Sequence, residues 1–555
     1  MARRTPREIL TDETARLELE KVRLQRGILK LRKRAMRQGA KMLSAHAAAQ
    51  KNRLTHDWPT KSYSADGEII ADLATINARA RQMRRDNGII ASLVGAFRRK
   101  VVGIGITPRS AARDPQTGAE LGDFNDRIDR LWAPWARSAA LCDTEKRHSF
   151  VELEGLVAEE IATVGEAIAI LTYWPRKDSV GLRVQMVEPE MLDTSKMRND
   201  KTGNAVRGGV EVNAFGAAVA YWIYTKEHPL NEWNTSSTRI PAWRVLHVMR
   251  TKRVRQTRGI SLLAPVLIKA RHLAMYDEYQ LIAARLEACI GGVIERDASI
   301  GETDIGLTPL SGDTGETSAN DDEVIFEPGM LPRLKPGEKI NFNTPTKPGG
   351  EYDKFRVAQI SDIAAGVGLD YATVARDFSK GNFSSQRQGL LEVWAETDPL
   401  QVLLTDLFCR PIREAFKRYA ILEGRVAAAG FEDAETATAY LEDEWTGPPK
   451  PWIDPARQAA AAKIAIEQRF RTRREIINEQ GGNVYDVLRQ HSDEQRFAAE
   501  LDPPVALPDA GGDPKTDPTE PRPGYERDPA GDGEQQPETE QNAQDVGDRM
   551  WEQAL

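Results

Sequence analysis

An α+β fold is predicted for this 555-residue chain, with long helices on either side of a β-rich centre. Three observations predict it. Apolar residues recur at helical spacing over 71–100, 261–288 and 384–428. Between the first two of these lie short apolar or β-branched runs, separated by Gly, Asn, Pro and charged turns. Charge is also segregated. Residues 1–57 carry 15 Lys+Arg against 6 Asp+Glu and residues 501–555 carry 4 against 14, which leaves residues 58–500 at −6 of a formal total of −7. The chain therefore reads as a basic arm, a nearly balanced body and an acidic tail.

The arm predicts one long helix over 11–50. Thr11 suits its N-cap, and Asp12 and Glu13 oppose the helix dipole in its first turn. Leu10, Leu17, Leu24 and Leu31 recur every seven residues with Ile28 between them, a short coiled-coil-like seam weakened by Lys21 and Gln38. Arg23, Arg26, Lys30, Arg32, Lys33, Arg34 and Arg37 line the rest. Such a face is either simply solvated or a contact for nucleic acid or an acidic partner, because clustered cations displace counterions from phosphates.

Trp58-Pro59 opens the body. A helix is predicted over 71–100, with Arg79, Arg81, Arg84 and Arg85 interrupting its apolar face, and then a strand over 101–108 ending in a turn. Helices at 120–137 and 149–164 precede strands at Ala167–Trp174, Leu182–Val187, Gly209–Val212, Ala218–Thr225 and Arg244–Met249, while Pro241 and the cluster 231–237 read as loops. A long helix starts near Ser261 and runs to about Ala288, its apolar face including Leu262, Leu273, Leu281 and Ile282. Gly291-Gly292 ends it. Two short strands, 292–295 and 323–326, flank a polar loop, and a Pro/Gly-punctuated segment follows to 350. A helix at 351–366 stops at Gly366 and Gly368. After an interruption at 372–384, a very long helix over 384–428 contains Pro399 and Pro411, each expected to bend or break it. Helices at 432–444 and 456–480 close the body. From Pro503 the chain is Pro, Gly, Gln and acid, a composition that predicts disorder.

Several classes are excluded. No apolar run approaches the ~20 residues of a membrane span. The charged start, Arg3, Arg4, Arg7 and Glu8, precedes no apolar core of a secretory leader. Cys142, Cys289 and Cys409 lie too far apart in sequence for a disulfide framework or a zinc site built from Cys pairs, so a reducing compartment and no metal or cofactor are expected. There is no phosphate-binding P-loop and no His-Glu-x-x-His. Gly103-x-Gly105 runs into Thr107-Pro108 rather than a helix, which favours a turn over a dinucleotide site. Cys142 with His148 is not a convincing nucleophile and base. His247 and His272 are expected to be packed, and Glu188 and Glu190 to face solvent. No enzyme site is expected.

The more specific signal lies in four ordered segments. Arg253-Val254-Arg255-Gln256-Thr257-Arg258-Gly259-Ile260-Ser261 precedes a long helix. Gln359–Gly366 with Val367-Gly368-Leu369-Asp370-Tyr371 is followed by Arg376-Asp377-Phe378-Ser379-Lys380-Gly381-Asn382-Phe383-Ser384-Ser385-Gln386-Arg387. Upstream stand Arg79-x-Arg81, Arg85-Asp86-Asn87 and Val101-Val102-Gly103-x-Gly105, and downstream Pro451-Trp452-Ile453-Asp454-Pro455. Taken together over about 79–480, these resemble lambda-type portal proteins, the head–tail connectors of tailed bacteriophages. The first of them resembles the family's Gln-x-Arg-Gly segment. The arm and the tail lie outside the resemblance.

The resemblance implies a ring-forming portal fold of wing, stem, clip and crown, usually with twelve subunits, set at one capsid vertex of a virion assembled in a host cytoplasm. It implies a wing at 58–257, stem helices at 258–290 and 351–371, a clip at 291–350, a tunnel loop at 372–384, a spine helix and further wing at 385–446 and a crown at 447–500, with the arm at 1–57 and a disordered tail at 501–555. Its implied partners are further copies of the chain, double-stranded DNA, the terminase large subunit, a head–tail adaptor, and major capsid or scaffold protein, with no membrane. The implied loop residues are Arg376, Asp377, Phe378, Ser379, Lys380, Gly381, Asn382 and Phe383. The implied channel charges of the stem are Arg271, Asp277, Glu278, Arg285 and Glu287. A channel that DNA slides through should not bind phosphates tightly, so a wall that is mixed or acidic, with sparse cations, is expected. The rival readings are a nucleic-acid-binding helical protein acting through the arm, and an enzyme with an unrecognised site.

Overall fold

The structure, a computed structural model, describes residues 21, 23–34, 53, 56–57, 59–224, 236–289, 351–379, 381, 383–452 and 454–501. The chain divides into two compact units, Met1–Val484 and Tyr485–Leu555. In the first, α1 (Ala65–Asp86) and α2 (Gly88–Val101) replace the single helix predicted over 71–100. Asn87 makes the break. It is extended, and its side-chain oxygen accepts from the backbone N–H groups of Ile89 and Ile90, both at 3.0 Å, so it caps the second helix while ending the first. The strand predicted over 101–108 is also corrected. Val101 ends α2, Gly103 and Gly105 turn with φ of +54° and +120°, and β1 is only Thr107–Ser110.

Helices α3 (Gly122–Arg137) and α4 (Phe150–Thr163) follow, the latter opened by a Ser149/Glu152 capping box. β2 (Glu166–Tyr173) is the centre of an antiparallel three-stranded sheet with β3 (Leu182–Val187) and, later, β8 (Val245–Met249). A four-stranded meander carries β4 (Ala205–Arg207), β5 (Val210–Val212), β6 (Ala218–Tyr224) and β7 (Ser237–Pro241). β7 runs where loop was expected. It is an edge strand, the one place in a sheet that tolerates proline.

The period of two in β2 joins two cores. Ala167 and Ala169 face the helices, whereas Ile168 and Ile170 pack with Val210, Val212, Tyr221 and Ile223 of the meander. The helical core centres on Trp132, Trp135, Phe150, Phe408 and Phe416, whose ring centroids lie 4.7–5.9 Å apart in the contacts among them.

Helix α5 (Leu267–Cys289) starts later than Ser261, because Pro265 disfavours helical backbone in the residue before it. It is followed, beyond residues 290–350, by α6 (Tyr352–Ala365) and the one-turn α7 (Tyr371–Ala375). The predicted rod 384–428 is α8 (Phe383–Leu404), a π-helical turn at Thr405–Cys409, and α9 (Arg410–Leu422). Pro399 sits inside α8, and Pro411 in the first turn of α9, where its missing N–H costs nothing. α10 (Ala434–Leu441) gives way to β9 (Asp443–Thr446), which pairs antiparallel with β1, so helix does not extend to 444 as expected. The predicted helix 456–480 is two, α11 (Pro455–Glu467) and α12 (Arg473–Glu479). The second unit contributes α13, which starts at the boundary and spans Val484–Glu500. Of the arm, 23–34 is helical. Thr11, the segments 292–295 and 323–326, and the tail from 502 lie outside the described residues.

Candidate functional site

The Gln-x-Arg-Gly segment is built around one buried carboxylate. Glu166, the first residue of β2, accepts from Arg258 Nε at 2.8 Å and Nη2 at 2.5 Å through one oxygen. Its other oxygen accepts from the Gly259 N–H at 2.6 Å and lies 2.9 Å from His247 Nε2. Arg258 also donates to the carbonyls of Gly208 at 2.6 Å and Pro189 at 3.1 Å, while Gln256 donates to the Arg258 carbonyl at 2.8 Å. Burial pushes Glu166 up, but the Arg258 charge and the His247 hydrogen bond outweigh it and hold the carboxyl down at about 2. The glycine is required by close approach: a Cβ at Gly259 would lie 2.4 Å from the Gly165 carbonyl oxygen. The segment thus clamps the chain entering α5 to the first strand of the sheet.

From this anchor α5 runs against α6. Asp277 accepts from Tyr352 Oη at 2.7 Å and Arg356 Nε at 3.2 Å, Lys269 pairs with Asp362, and Tyr276 meets Phe355 edge-on at 5.2 Å. The pairings 269 with 362 and 277 with 352 make the helices antiparallel. Asp277 is therefore engaged between the helices, whereas Arg271, Glu278 and Arg285 are exposed. Glu287 lies on α5, with its side chain outside the described residues. The predicted apolar face holds as far as Leu273; Leu281 and Ile282 are exposed. Ile268, Met275, Tyr279 and Ile282 form a second stripe, within about 60° on the helix at ~100° per residue. They are between 39% (Met275) and 67% (Ile268) exposed and lie on the side away from Asp277 and Leu273. His272 shares this exposed side and is not packed as expected.

The interruption 372–384 is partly helical. Asp370 caps α7 by accepting from Thr373 N–H at 3.2 Å, and Val374 is buried, with its carbonyl taking a 2.8 Å hydrogen bond from Ser92 Oγ. The loop proper begins at Arg376, which adopts a left-handed φ of +54°. Asp377 accepts from Tyr371 Oη at 3.0 Å and from Ser379 Oγ at 2.6 Å. Phe378 is exposed. Gln386 ties the loop down by donating to the carbonyls of Phe378 at 2.6 Å and Gly381 at 3.2 Å. Lys380 and Asn382 lie outside the described residues, as does the side chain of Phe383, the first residue of α8. In the arm, Arg23, Arg26, Lys30, Arg32, Lys33 and Arg34 are all exposed on the helical stretch, and Arg37 lies outside the described residues.

The weak catalytic candidates dissolve in the geometry. The Cys142 thiol meets the His148 carbonyl at 3.4 Å, not its ring, and burial with the neighbouring Asp143 charge pushes it up to about 12. His247 is packed between Glu166 and Tyr221. Glu188 and Glu190 are both exposed, as expected, and Glu190 in addition accepts from Arg81 Nε and Nη2, both at 2.8 Å. Arg81 also bonds Glu160, and Arg84 bonds Glu159 at 2.5 Å, so two arginines that seemed to interrupt a helix face cross-link α1 to α4. Among the described residues no group of three His, Cys, Asp or Glu could hold a metal, and no helix is long and apolar enough to cross a membrane.

Sequence reasoning missed Arg99 and Lys100, which stand beside Arg376 and Arg387 around a cavity of about 400 Å³ at the root of the loop. The only signal was the Arg-Arg-Lys run ending α2, which reads as an ordinary solvated helix end.

Comparison with known proteins follows the same elements. A sequence profile described as "Phage portal protein, lambda family" matches residues 51–401. The chain is 26% identical over 460 residues to a "Probable portal protein" of Halomonas phage phiHAP-1, covering 81% of this chain and 85% of that one. It is 25% identical over 479 residues to "Portal protein B" of Escherichia phage lambda, covering 81% and 89%. Among solved structures, a chain from "Neck of native GTA particle computed with C12 symmetry" is 12% identical over 79% of this chain and 96% of that one, with a TM-score of 0.34.

Proposed function

The chain belongs to the lambda family of phage portal proteins, and we propose that it is a structural, non-enzymatic subunit of a twelve-membered ring at one capsid vertex. The ring is the channel for packaging and ejecting double-stranded DNA. Residues 291–350 form the clip that docks the terminase large subunit and later the head–tail adaptor, and the wing contacts major capsid or scaffold protein. α5 and α6 are the stem, the loop from Arg376 to Phe383 reaches toward the lumen, and Arg271, Glu278, Arg285 and Glu287 supply rings of mixed charge. The remaining boundaries follow the wing, spine and crown assignments given for the sequence.

The observation that carries this reading is the family match over 51–401, which includes both stem helices and the loop. The uncovered stripe Ile268, Met275, Tyr279 and Ile282 supports it, since an apolar helix face away from its own partner suits a neighbouring subunit. Twelve copies of the 61.8 kDa chain make a particle of about 740 kDa. Sedimentation and negative-stain imaging should find annular particles of that mass. A species that stays monomeric in all salts would overturn the ring. Rings should also survive deletion of 1–57, whereas the reading in which the arm does the work requires that DNA affinity vanish with it.

A further inference from the structure

The cavity of about 400 Å³ at the root of the loop brings together cations from three separate elements. Arg99 and Lys100 come from the last turn of α2, Arg376 from the end of α7 and Arg387 from the start of α8. Among the described residues the only carboxylate in its wall is Asp370, one oxygen of which caps α7 while its charge also acts on Lys100. Elsewhere this protein pairs its arginines: Arg81, Arg84, Arg258 and Arg413 each face a carboxylate. Among the described residues Arg99, Arg376 and Arg387 share the pocket with Asp370 but make no ion pair with a carboxylate.

Arg376 stands at the C-cap of α7 in the left-handed region, φ +54°, an ordinary conformation for a helix-ending residue, and its side chain lines the pocket. Burial, and then the nearby Arg376 charge, weaken the hold of Arg99 on its proton, so the two guanidinium groups lie close enough to act on one another. Phe378 adds an exposed aromatic ring to the wall.

We propose that this pocket binds a phosphate group, held by Arg99, Arg376 and Arg387 with Lys100 beside them. Three guanidinium groups and an ammonium supply the positive charge and the hydrogen-bond donors that phosphate oxygens accept from. The phosphate comes either from the backbone of a nucleic-acid strand or as the free ion.

Calorimetric titration of the full chain in phosphate-free buffer tests it, with inorganic phosphate in one arm and a short duplex lacking terminal phosphates in the other. Arg376→Gly suits the left-handed backbone and should fold at least as well as the parent, so it separates binding from folding; Arg387→Gln is the second variant. The expected result is binding that weakens at least tenfold in both variants, with unchanged or higher melting temperature. Arginine-dependent binding of inorganic phosphate identifies the free ion, and arginine-dependent binding of the duplex alone identifies the strand. Failure of both ligands to bind, or equal binding by parent and variants, overturns the proposal. The titration reads the pocket whether or not rings assemble, so absent rings would count against the portal reading and leave this one standing.

Discussion

Nη2 of Arg258 lies 2.5 Å from Oε1 of Glu166, with both side chains sealed from solvent although 92 positions separate them. Removing one partner leaves the other as a buried, uncompensated charge. Arg258→Ala should therefore cost about 3–5 kcal/mol, read by chemical denaturation. Because the Glu166 carboxyl is held at about 2 when folded, below its ordinary value near 4.5, its contribution is present above that ordinary value and lost as pH falls toward 2. Glu166→Gln should flatten stability against pH across that window.

Glu154 behaves in the opposite sense. It is fully buried, accepts from the Ile106 N–H at 3.1 Å and meets the Cys409 thiol at 3.4 Å, and burial pushes it up to about 8. The folded protein then holds a proton that the unfolded chain releases near 4.5, so this contribution is fully present below that pH and lost as pH rises to about 8. Glu154→Gln keeps an acceptor for Ile106. It should leave stability at pH 5 nearly unchanged and raise it at pH 8 by a few kcal/mol, at ~1.36 kcal/mol per pKa unit. Thermal melts at the two pH values check it.

Two glycines with positive φ should respond very differently to alanine. Gly424 (φ +70°) has nothing within 4 Å of an added Cβ, so Gly424→Ala carries only the left-handed backbone cost of about 1–2 kcal/mol. At Gly165 (φ +92°) the Cβ would lie 2.1 Å from the carbonyl carbon of Ile260. Gly165→Ala should displace the Gln-x-Arg-Gly clamp and sharply reduce soluble yield, measured beside the first variant.

Adjacent residues of α5 should separate stability from transport. Asp277→Asn breaks the ionic contact with Arg356 and should lower the melting temperature by about a degree, corresponding to ~1 kcal/mol in a unit of this size. Glu278→Lys, on an exposed position, should leave melting unchanged yet slow DNA passage in a packaging assay. Unaltered packaging would place Glu278 away from the lumen.

Deleting 377–381 spares buried Val374 and its hydrogen bond with Ser92. Rings should form normally, and particles should retain fewer full-length genomes, counted by gel analysis of packaged DNA. Deleting all of 372–384 would also remove Val374 from the core and confuse loop function with folding.

The larger helices and five of the strands were legible because their apolar periodicity is imposed by burial on one face. β7 was not, since Pro241 and the polar cluster before it carry turn chemistry that an edge strand tolerates. Nor was the splitting of helices at Asn87 and Thr405–Cys409, where a single cap or an extra residue overrides a continuous pattern. Arg258 stood out only as part of the segment that carries the resemblance, and its partner Glu166 could not be read at all, because contacts across 92 residues leave no local mark. The cluster of Arg99, Arg376 and Arg387 was invisible for the same reason.

The π-helical turn at Thr405–Cys409 sets a phase. A widened turn absorbs one residue beyond an ordinary α-helix, and each residue turns the helix by about 100°. The register of α9 relative to α8, and with it the inward aim of Cys409, Ile412 and Phe416, depends on that surplus residue. Sequence change here is constrained in length as well as in identity: Phe408 and Cys409 are themselves buried, and losing one position would rewind the helix to uniform pitch and swing the downstream core residues out of the interior.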